Sequence, residues 1–326
     1  MAKNVTNNCF IKSPFNYIGG KYKILHQIMP LFPKDINCFI DLFVGGGNVG
    51  LNVSAKKIIL NDNLIHLIEL YKKLQKTPLK KVLKHIHNRI DEYSLSLTNK
   101  DGYVKLRKFY NETKDPLDLF LLISYSFNHQ IRFNGSHEFN NSFGRERSFF
   151  NPSIEFNLKA FIRKLQQSNI ELSSKNFDNL DLSFLGVNDF VYCDPPYLIT
   201  TGTYNDGRRG FTGWSEKEEE LLLSKLDKLN DKGIKFALSN VIQHKNKTNT
   251  LLKKWVVGNS SYFINSIKMN YSNSNYQIKN RNKLTTIEVL VTNYVPQITN
   301  IFHQQLSLIP LKREYNEIYW QQKTLA

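Results

Sequence analysis

The segment Phe190-Val191-Tyr192-Cys193-Asp194-Pro195-Pro196-Tyr197 decides the fold class that we predict for this chain. Its first four residues form an uninterrupted apolar run, which is typical of a buried strand. Neither proline has an N–H group for a sheet ladder, so the strand must end at Asp194. The chain then presents a carboxylate, a proline carbonyl and an aromatic ring at the carboxyl end of the strand. Ligands of open α/β sheets bind at that edge, which makes this tetrapeptide the first candidate site.

The chemistry of Asp194-Pro195-Pro196-Tyr197 suits an exocyclic amine of a nucleobase. Such a nitrogen is conjugated with its ring and is a poor nucleophile. The Asp194 carboxylate and the Pro195 carbonyl can accept its two hydrogens and direct its lone pair at a methyl donor. The Tyr197 ring can stack on the base, a contact worth about 1–3 kcal/mol. A Pro-Pro turn capped by a surface aspartate would show the same four residues.

A glycine pattern follows an earlier apolar strand, predicted over 38–44. Gly45, Gly47 and Gly50 allow a tight turn and a close backbone approach to a ligand, and we expect a helix to start there. Asp62 ends the next strand and can hold ribose hydroxyls. Such a site takes either a dinucleotide or S-adenosylmethionine. A dinucleotide enzyme has no evident use for the Asp-Pro-Pro-Tyr segment, whereas a methyl donor brings its sulfonium to the same sheet edge.

Composition and charge limit the class of protein. The chain has 326 residues, of which 41% are hydrophobic and 22% charged, as in globular proteins. Its net charge of +16 and pI near 9.5 suit a polyanionic partner, although a generally basic proteome would give the same balance. The three cysteines show neither metal-binding nor disulfide spacing, as in a reducing cytosol. Without a recognisable signal peptide or a run of about 18 apolar residues, we expect a cytoplasmic protein that does not enter membranes.

The distribution of periodicities predicts an α/β core interrupted by a helical insertion. We assign the core to 1–63 and 168–295, the insertion to 64–167, and no role to the tail at 296–326. A capping box at Ser215 and Glu218 marks the start of one helix. Further helices are predicted over 23–32, 64–71, 82–90, 104–110, 117–127 and 158–167. Strands are predicted over 38–44, 57–62, 170–172, 190–193, 235–240 and 287–293.

The segment 129–147 has the composition of a hairpin or an irregular loop and is rich in arginine and phenylalanine. Arginine recognises guanine through two hydrogen bonds, and aromatic rings can fill the gap left by an extruded base. A loop with a small aromatic cluster and solvated charges is the simpler alternative. His129 and His137 have no further ligand pair at metal spacing, so no metal site is predicted. A Gly-rich stretch at 204–213, with Arg208 and Arg209, is expected either to close over DNA or to have no gating role.

Taken together, these segments resemble the adenine-N6 DNA methyltransferases of the Dam type, in which the recognition domain interrupts the catalytic domain. The similarity spans about residues 11–294, and its motifs occur in the order found in that family. The first motif is Tyr17-Ile18-Gly19-Gly20-Lys21, and the second is Phe43-Val44-Gly45-Gly46-Gly47, which Asp62 follows. The third is the segment from Asn134 to Gly144. The fourth is Asp194-Pro195-Pro196-Tyr197, which the segments 238–241 and 288–293 support.

The resemblance implies a seven-stranded, Rossmann-like methyltransferase sheet with an inserted, mainly helical DNA-recognition domain that carries a hairpin. It implies duplex DNA as partner and S-adenosylmethionine as cofactor, with a possible cognate restriction endonuclease. Asp194, Pro195, Pro196 and Tyr197 would hold a flipped adenine. The implied cofactor-binding residues are Tyr17, Lys21, Phe43, Gly45, Gly47, Asp62, Phe177 and Asp194. The implied DNA-binding residues are Phe127, Asn128, Arg132, Asn134 and Arg145.

The target sequence and the class of substrate stay open at this point. Family members that act at GATC share an arginine at the position of Arg132, but Asn16, Gln130 and Ser142 depart from the choices common among them. Methyltransferases of RNA or protein more often carry Asn before Pro-Pro, which favours DNA here. The motifs also leave open a catalytically silent DNA-binding relative and a nicotinamide dehydrogenase. Cys193 is not expected to be a nucleophile, because amine methylation needs no covalent adduct with the enzyme.

Overall fold

The computed structural model describes residues 10–17, 19–200, 214–268 and 286–297. The prediction for Arg208 and Arg209 in the 204–213 stretch lies outside these ranges, as does the tail from 298 onward.

Within the described ranges, the strands form one eight-stranded sheet in the order β3-β2-β1-β4-β5-β8-β7, with β6 paired to β5. Strands β1 to β5 run parallel, whereas β8 is antiparallel to both β5 and β7. The strands are β1 (Cys38–Asp41), β2 (Lys57–Asn61), β3 (Ile170–Ser173), β4 (Phe190–Cys193), β5 (Lys235–His244), β6 (Lys247–Thr248), β7 (Phe263–Ile267) and β8 (Thr286–Thr292).

Strands β1 and β4 lie side by side in the middle of the sheet. Every residue of both strands is buried, which explains why all of them except Asp41 are apolar and the pattern does not alternate. The chain leaves β1 towards β2 on one side, and β4 lies on the other side. The carboxyl ends of β1 and β4 therefore meet at the switch point where open α/β sheets bind ligands. The predicted Rossmann-like α/β fold is confirmed.

The helices pack on both faces of the sheet, and several begin at a residue whose side chain accepts a hydrogen bond from a first-turn amide. These capping residues are Asn99, Asp115, Asn151, Ser215 and Asn249. No helix in the described ranges is both long and apolar enough to span a bilayer. The helices are α1 (Leu25–Ile28), α2 (Ile65–Lys76), α3 (Leu79–Glu92), α4 (Lys100–Thr113), α5 (Pro116–Tyr125), α6 (Pro152–Leu165), α7 (Glu216–Asp231) and α8 (Thr250–Gly258).

Alternate side chains of the central strands enter two apolar clusters, one on each face of the sheet. Phe39 of β1 belongs to a cluster that extends into α5 and α6 through Phe120 and Phe161. Ile40, the next residue, belongs to the cluster that contains Leu222 of α7. The helices between 64 and 167 thus share a continuous core with one face of the sheet. The boundaries assigned to a separate recognition domain stay a prediction.

The prediction that a helix starts at the glycine pattern is wrong. Only a single 3-10 turn forms, at Gly50–Asn52, and the backbone is already extended at Val53. The chain must reach the start of β2 at Lys57, which leaves no room for a longer helix. The helix predicted over 23–32 is also broken, because 3-10 turns at Tyr22–Ile24 and Met29–Leu31 flank the short α1.

The segment predicted as a hairpin or irregular loop contains two isolated antiparallel bridges, Ser126 with Phe143 and Phe133 with Phe139. The amide of Asn140 donates to the carbonyl of Arg132 at 3.0 Å, next to the second bridge. Asn141 stabilises the base of this loop, because its side-chain amide donates to the carbonyls of Phe127 and Gln130 at 3.1 and 2.9 Å. We refer to residues 126–148 as the arginine loop.

We expect Gly50→Ala to lower the free energy of unfolding by about 1–3 kcal/mol, because the added methyl group overpacks the core. A Cβ atom at Gly50 would clash with Leu60 Cδ2 and lie 2.9 Å from Asp41 Oδ2, and both side chains are buried. Urea unfolding followed by circular dichroism measures the effect. Gly258→Ala is the matched control, since a Cβ atom there meets nothing within 4 Å. Equal stability of the Gly50 variant and the control would contradict this view of the turn.

Candidate active site

A pocket opens at the carboxyl ends of β1, β2 and β4. Every residue predicted to bind the cofactor or to act in catalysis lines it, except Gly47. Trp214, Glu218, Asn48 and Asn176 also line the pocket, although no sequence motif marks them as site residues. The predicted residues that the pocket brings together are Tyr17, Lys21, Phe43, Gly45, Asp62, Phe177, Asp194, Pro195, Pro196 and Tyr197.

The two glycines of the turn after β1 have different surroundings. Both have a positive φ, 46° at Gly45 and 74° at Gly47, which a residue with a side chain rarely adopts. A Cβ atom at Gly45 would lie 2.8 Å from the ring of Tyr17, so this glycine lets the tyrosine ring lie against the turn. A Cβ atom at Gly47 would instead approach Phe161 of α6 at 3.2 Å. Gly47 therefore serves the packing behind the pocket.

Asp62 holds the glycine turn in place. Its two carboxylate oxygens accept hydrogen bonds from the amides of Gly45 and Leu64, each at 2.9 Å. Burial raises the pKa of Asp62 above its ordinary value, and these two amides oppose that rise. On the other side of the turn, the Tyr71 hydroxyl donates to the Gly45 carbonyl at 2.6 Å. The turn is thus fixed by hydrogen bonds from within the protein.

Lys21 is buried and forms an ion pair with Asp194. Its Nζ atom lies 2.8 Å from Asp194 Oδ1, and only 3% of the lysine side chain is exposed. The same ammonium donates to the Gly19 carbonyl at 2.9 Å. Burial raises the pKa of Asp194 above its ordinary value, and the charge of Lys21 opposes that rise. The lysine of the opening motif is therefore part of the pocket rather than a solvated side chain.

The Tyr197 hydroxyl lies between two carboxylates. It is 3.0 Å from Asp194 Oδ1 and 3.0 Å from Oε1 of Glu288 in β8. The ring centre of Tyr197 is 5.0 Å from Lys21 Nζ, within the range of a cation–π contact. Glu288 is 2% exposed and was not selected from the sequence as a site residue.

Three aromatic rings form one end of the pocket. Phe43, Phe177 and Trp214 have ring centres 5.4 to 5.6 Å apart in each pair. Trp214 is held by Glu219, a fully buried residue of α7 whose carboxylate accepts from the indole N–H at 2.7 Å. The other oxygen of Glu219 accepts from Asn240 and Asn249, at 2.9 and 3.1 Å, so the buried charge has three donors.

Asp41 and Cys193 end the central strands and are both buried, and Asp41 also lines the pocket. Asp41 Oδ2 accepts from the amide of Gly50 at 3.0 Å, which ties the end of β1 to the turn that follows it. Burial raises the pKa of the Cys193 thiol. Since the thiolate is the reactive form of cysteine, this environment does not suit a nucleophile.

The predicted DNA-binding residues all lie on the arginine loop, and none lines the pocket. Phe127 is 43% exposed, and the Arg145 side chain is 74% exposed beside Glu146. Asn134 donates to the Glu138 carboxylate at 2.8 Å, across the tip of the loop. Asn128 has a left-handed φ of 56°.

Two further observations concern the base of the arginine loop. The Asn128 carbonyl accepts from the side chain of Asn16 at 3.1 Å, which ties the loop to the opening motif. Arg132 has a buried Nε atom for which the described residues offer no hydrogen-bond acceptor.

His85, Asp115 and Asp118 bring potential metal-ligand atoms within 4.8 Å of one another in the described part of the chain. Arg89 already places its Nε atom 3.0 Å from Asp118 Oδ1 and supplies the positive charge there. Asp115 caps α5 through the amide of Leu117. His85 Nε2 lies 2.8 Å from the same oxygen of Asp118, whereas the buried Oδ2 atom has no hydrogen-bond partner among the described residues.

The mostly parallel sheet, with its glycine turn and Asp-Pro-Pro-Tyr segment at one edge, defines a Rossmann-like methyltransferase. The chain belongs to the family of D12 class N6 adenine-specific DNA methyltransferases, whose profile matches residues 17–287. Membership implies a methyl donor, and the predicted resemblance is confirmed.

Two similar relatives are modification methylase StsI of Streptococcus sanguinis and type II methyltransferase M.FokI of Planomicrobium okeanokoites. Each is 49% identical over 294 residues, which is 90% of this chain and 44% of the relative. The chain therefore spans less than half the length of these relatives. A DNA adenine methylase of Salmonella typhi is 32% identical over 213 residues, which is 61% of this chain and 68% of that protein.

We expect Glu219→Gln to lower the free energy of unfolding by about 2–3 kcal/mol, because buried hydrogen bonds to a charged group would be lost. A glutamine has one acceptor oxygen, and its NH₂ group would face the donors of Trp214, Asn240 or Asn249. Urea unfolding measures the change. Glu220→Gln, at the exposed neighbouring position of α7, controls for loss of a helix charge. Equal stabilities of the two variants would show that Glu219 does not hold Trp214 as described.

Proposed function

We propose that this chain transfers a methyl group from S-adenosylmethionine to N6 of a flipped adenine in duplex DNA. The observation that carries the proposal is the meeting of two motifs in one pocket. The glycine turn after β1 and the Asp194–Tyr197 segment after β4 line the same cavity, because β1 and β4 are adjacent. A methyl donor and an amine acceptor can therefore lie next to each other. Family membership supports the reaction type and the DNA substrate.

The pocket residues fit S-adenosylmethionine. When bound, this cofactor supplies an electrophilic methyl group on a sulfonium sulfur. Asp62 would accept hydrogen bonds from its ribose hydroxyls with the lone pairs that Gly45 and Leu64 leave free. The aromatic group of Phe43, Phe177 and Trp214 would pack on its adenine ring. Tyr17 would cover the glycine turn on the ligand side.

At the acceptor end, Asp194 would hold and orient the amine. Its contacts with Lys21 and Tyr197 both use Oδ1, which leaves Oδ2 to accept a hydrogen from N6. The Pro195 carbonyl would accept the second hydrogen, and the Tyr197 ring would stack on the base. The Asp194 carboxylate would then stabilise the positive charge that develops on the nitrogen. Catalysis would come mainly from positioning and electrostatics.

An adenine inside a duplex cannot reach this pocket, so we propose that it is flipped out of the stack at a cost of a few kcal/mol. The arginine loop would enter the DNA, with Arg132 reading a guanine and Phe127 beside the gap. Residues 64–167 would act as the recognition domain. The net charge of +16 would supply attraction to phosphates.

We infer a restriction–modification context, because both 49%-identical relatives are named as modification or type II methyltransferases. A cognate endonuclease and a cytoplasmic location follow from the same inference. Long-read sequencing of DNA from cells that express the chain would identify the methylated sequence, GATC or a related site.

We expect Asp194→Ala to abolish transfer of labelled methyl groups from S-adenosylmethionine to duplex DNA, because the amine loses its acceptor. Binding of the duplex, measured by fluorescence anisotropy, should stay near the wild-type value. Asp231→Ala, an exposed position at the end of α7, is the control. RNA of matched sequence serves as competitor. Near-wild-type transfer by Asp194→Ala, or preferential methylation of the RNA, would refute the proposal.

We also expect the rate of methyl transfer to fall at acidic pH, with a midpoint above 3.8, the ordinary pKa of aspartate. Asp194 must be ionised to accept the amine hydrogen, and burial raises its pKa. Lys21 lowers this pKa, so Lys21→Met should raise it and move the acidic fall in rate to higher pH. Single-turnover rates against pH measure the midpoint, with Lys57→Met, at an exposed ion pair, as control. An unmoved or lower midpoint in Lys21→Met would contradict this electrostatic role.

A further inference from the structure

Glu288 is a buried acid in an otherwise apolar stretch of β8. It is 2% exposed, and the three residues that follow it, Val289 to Val291, are fully buried and apolar. Strand β8 runs antiparallel to β5, with Glu288 opposite Val241. The beginning of β8 therefore lies at the edge where the parallel strands end, and Glu288 reaches the Asp194–Tyr197 segment. Removing a carboxylate from water is costly, so a buried acid at this position requires partners that compensate for the lost hydration.

The contacts of Glu288 converge on the groups that surround Asp194. Its Oε1 atom lies 3.0 Å from the Tyr197 hydroxyl and 3.7 Å from Lys21 Nζ. Asp194 Oδ1 contacts the same two groups, at 3.0 and 2.8 Å. Two carboxylates thus share one ammonium and one hydroxyl hydrogen. Tyr197 has a single hydrogen to donate, so Glu288 and Asp194 compete for it.

We propose that Glu288 is a positioning residue for methyl transfer, which acts through the hydroxyl of Tyr197. This inference rests on the proposed function and adds to it a residue from the far end of the chain. With Glu288 in place, the single hydrogen of the Tyr197 hydroxyl is shared between two carboxylate oxygens at 3.0 Å, which restrains the orientation of the ring where the adenine would stack. Without it, only the bond to Asp194 remains, and the ring can turn about that bond.

Glu288 also affects the charge that Asp194 offers to the substrate. By attracting the Tyr197 hydrogen and the Lys21 ammonium, it leaves more of the negative charge of Asp194 for the amine. The negative charge of Glu288 raises the pKa of Asp194, which agrees with a more basic acceptor. A more basic carboxylate better stabilises a developing ammonium.

A double-mutant cycle between Glu288→Gln and Tyr197→Phe tests the inference. Glutamine keeps the shape of the side chain and loses its charge, and phenylalanine keeps the stacking ring and loses the hydroxyl. The measurement is the single-turnover rate with S-adenosylmethionine and duplex DNA at saturation. We expect Glu288→Gln to lower this rate about 10-fold or more in the wild-type background, and less than about 3-fold in the Tyr197→Phe background. The dissociation constant for S-adenosylmethionine should change less than about 3-fold, because Glu288 acts at the acceptor end.

Two controls separate this role from a structural one. Glu171→Gln removes the same charge at an exposed ion pair with Lys57 and should leave the rate unchanged. Glu288→Asp keeps the charge with a shorter reach and should recover part of the rate that Glu288→Gln loses. Thermal unfolding of each variant identifies misfolded protein. If Glu288→Gln does not fold, Glu288→Asp is compared in the two Tyr197 backgrounds instead.

The outcomes are distinct. Equal losses of rate in the two Tyr197 backgrounds would overturn the inference, because Glu288 would then act independently of the hydroxyl. A loss found only in the affinity for S-adenosylmethionine would overturn it as well. If the wild-type chain is active and Glu288→Gln transfers methyl groups at the same rate, the inference is refuted and the proposed function is unaffected. An inactive wild-type chain would refute the proposed function and this inference with it.

Discussion

The parallel pairing of β1 with β4 is the constraint on which the rest of the site depends. Ile40 lies opposite Val191, and Asp41 lies opposite Tyr192, so the two strands end in register. The amide of Leu42 donates to the Tyr192 carbonyl at 2.9 Å and extends the pairing to the sheet edge. A shift of register would move the glycine turn away from Asp194 and would turn the apolar side chains to the wrong faces. Both clusters of the core therefore help to maintain the geometry of the pocket.

Three acidic side chains lie close together at the end of this sheet. Asp41, Asp62 and Asp194 follow or end neighbouring strands, and burial raises the pKa of each of them. Asp41 and Asp62 are stabilised by backbone amides of the glycine turn, whereas Asp194 is paired with Lys21. Because removal of two charges from water costs at least as much as their attraction returns, such a pair is a poor source of stability. These three acids therefore depend on the amides and the ammonium that surround them at the pocket edge.

The sequence was most informative where a local signal has a single structural meaning. Strand β4 has the bounds predicted from its apolar run and the two prolines, and the capping box at Ser215 starts α7 as predicted. The helix predicted after the glycine pattern does not form, because glycines that allow a turn do not specify the structure after that turn. Strand β7 and helix α8 were not predicted, since β7 carries polar residues such as Asn265 and Ser266 and shows no clear alternation of burial.

The same limit applies to the site. The motif residues could be found because each lies within a short recognisable segment. Trp214 and Glu219 have no such segment, and the buried carboxylate that holds the indole becomes visible only when Asn240 and Asn249 are brought to it by the fold. Likewise, Arg132 was selected by residue type, whereas the lack of an acceptor for its Nε atom among the described residues is a property of the folded loop.

The direction of β8 explains how Glu288 reaches the Asp194–Tyr197 segment. In a parallel strand at this place, the carboxyl-terminal residues would lie at the pocket edge, and Thr292 would occupy it. Because β8 runs the other way, its first residues lie there instead, and Glu288 stands opposite Val241, beyond the point where β4 has ended. The reversed strand thus brings a carboxylate to an edge where the parallel strands already supply Asp41 and Asp194. The hydroxyl of Tyr197 and the ammonium of Lys21 lie between Asp194 and Glu288, so the antiparallel strand adds a second carboxylate to the network that the parallel strands begin.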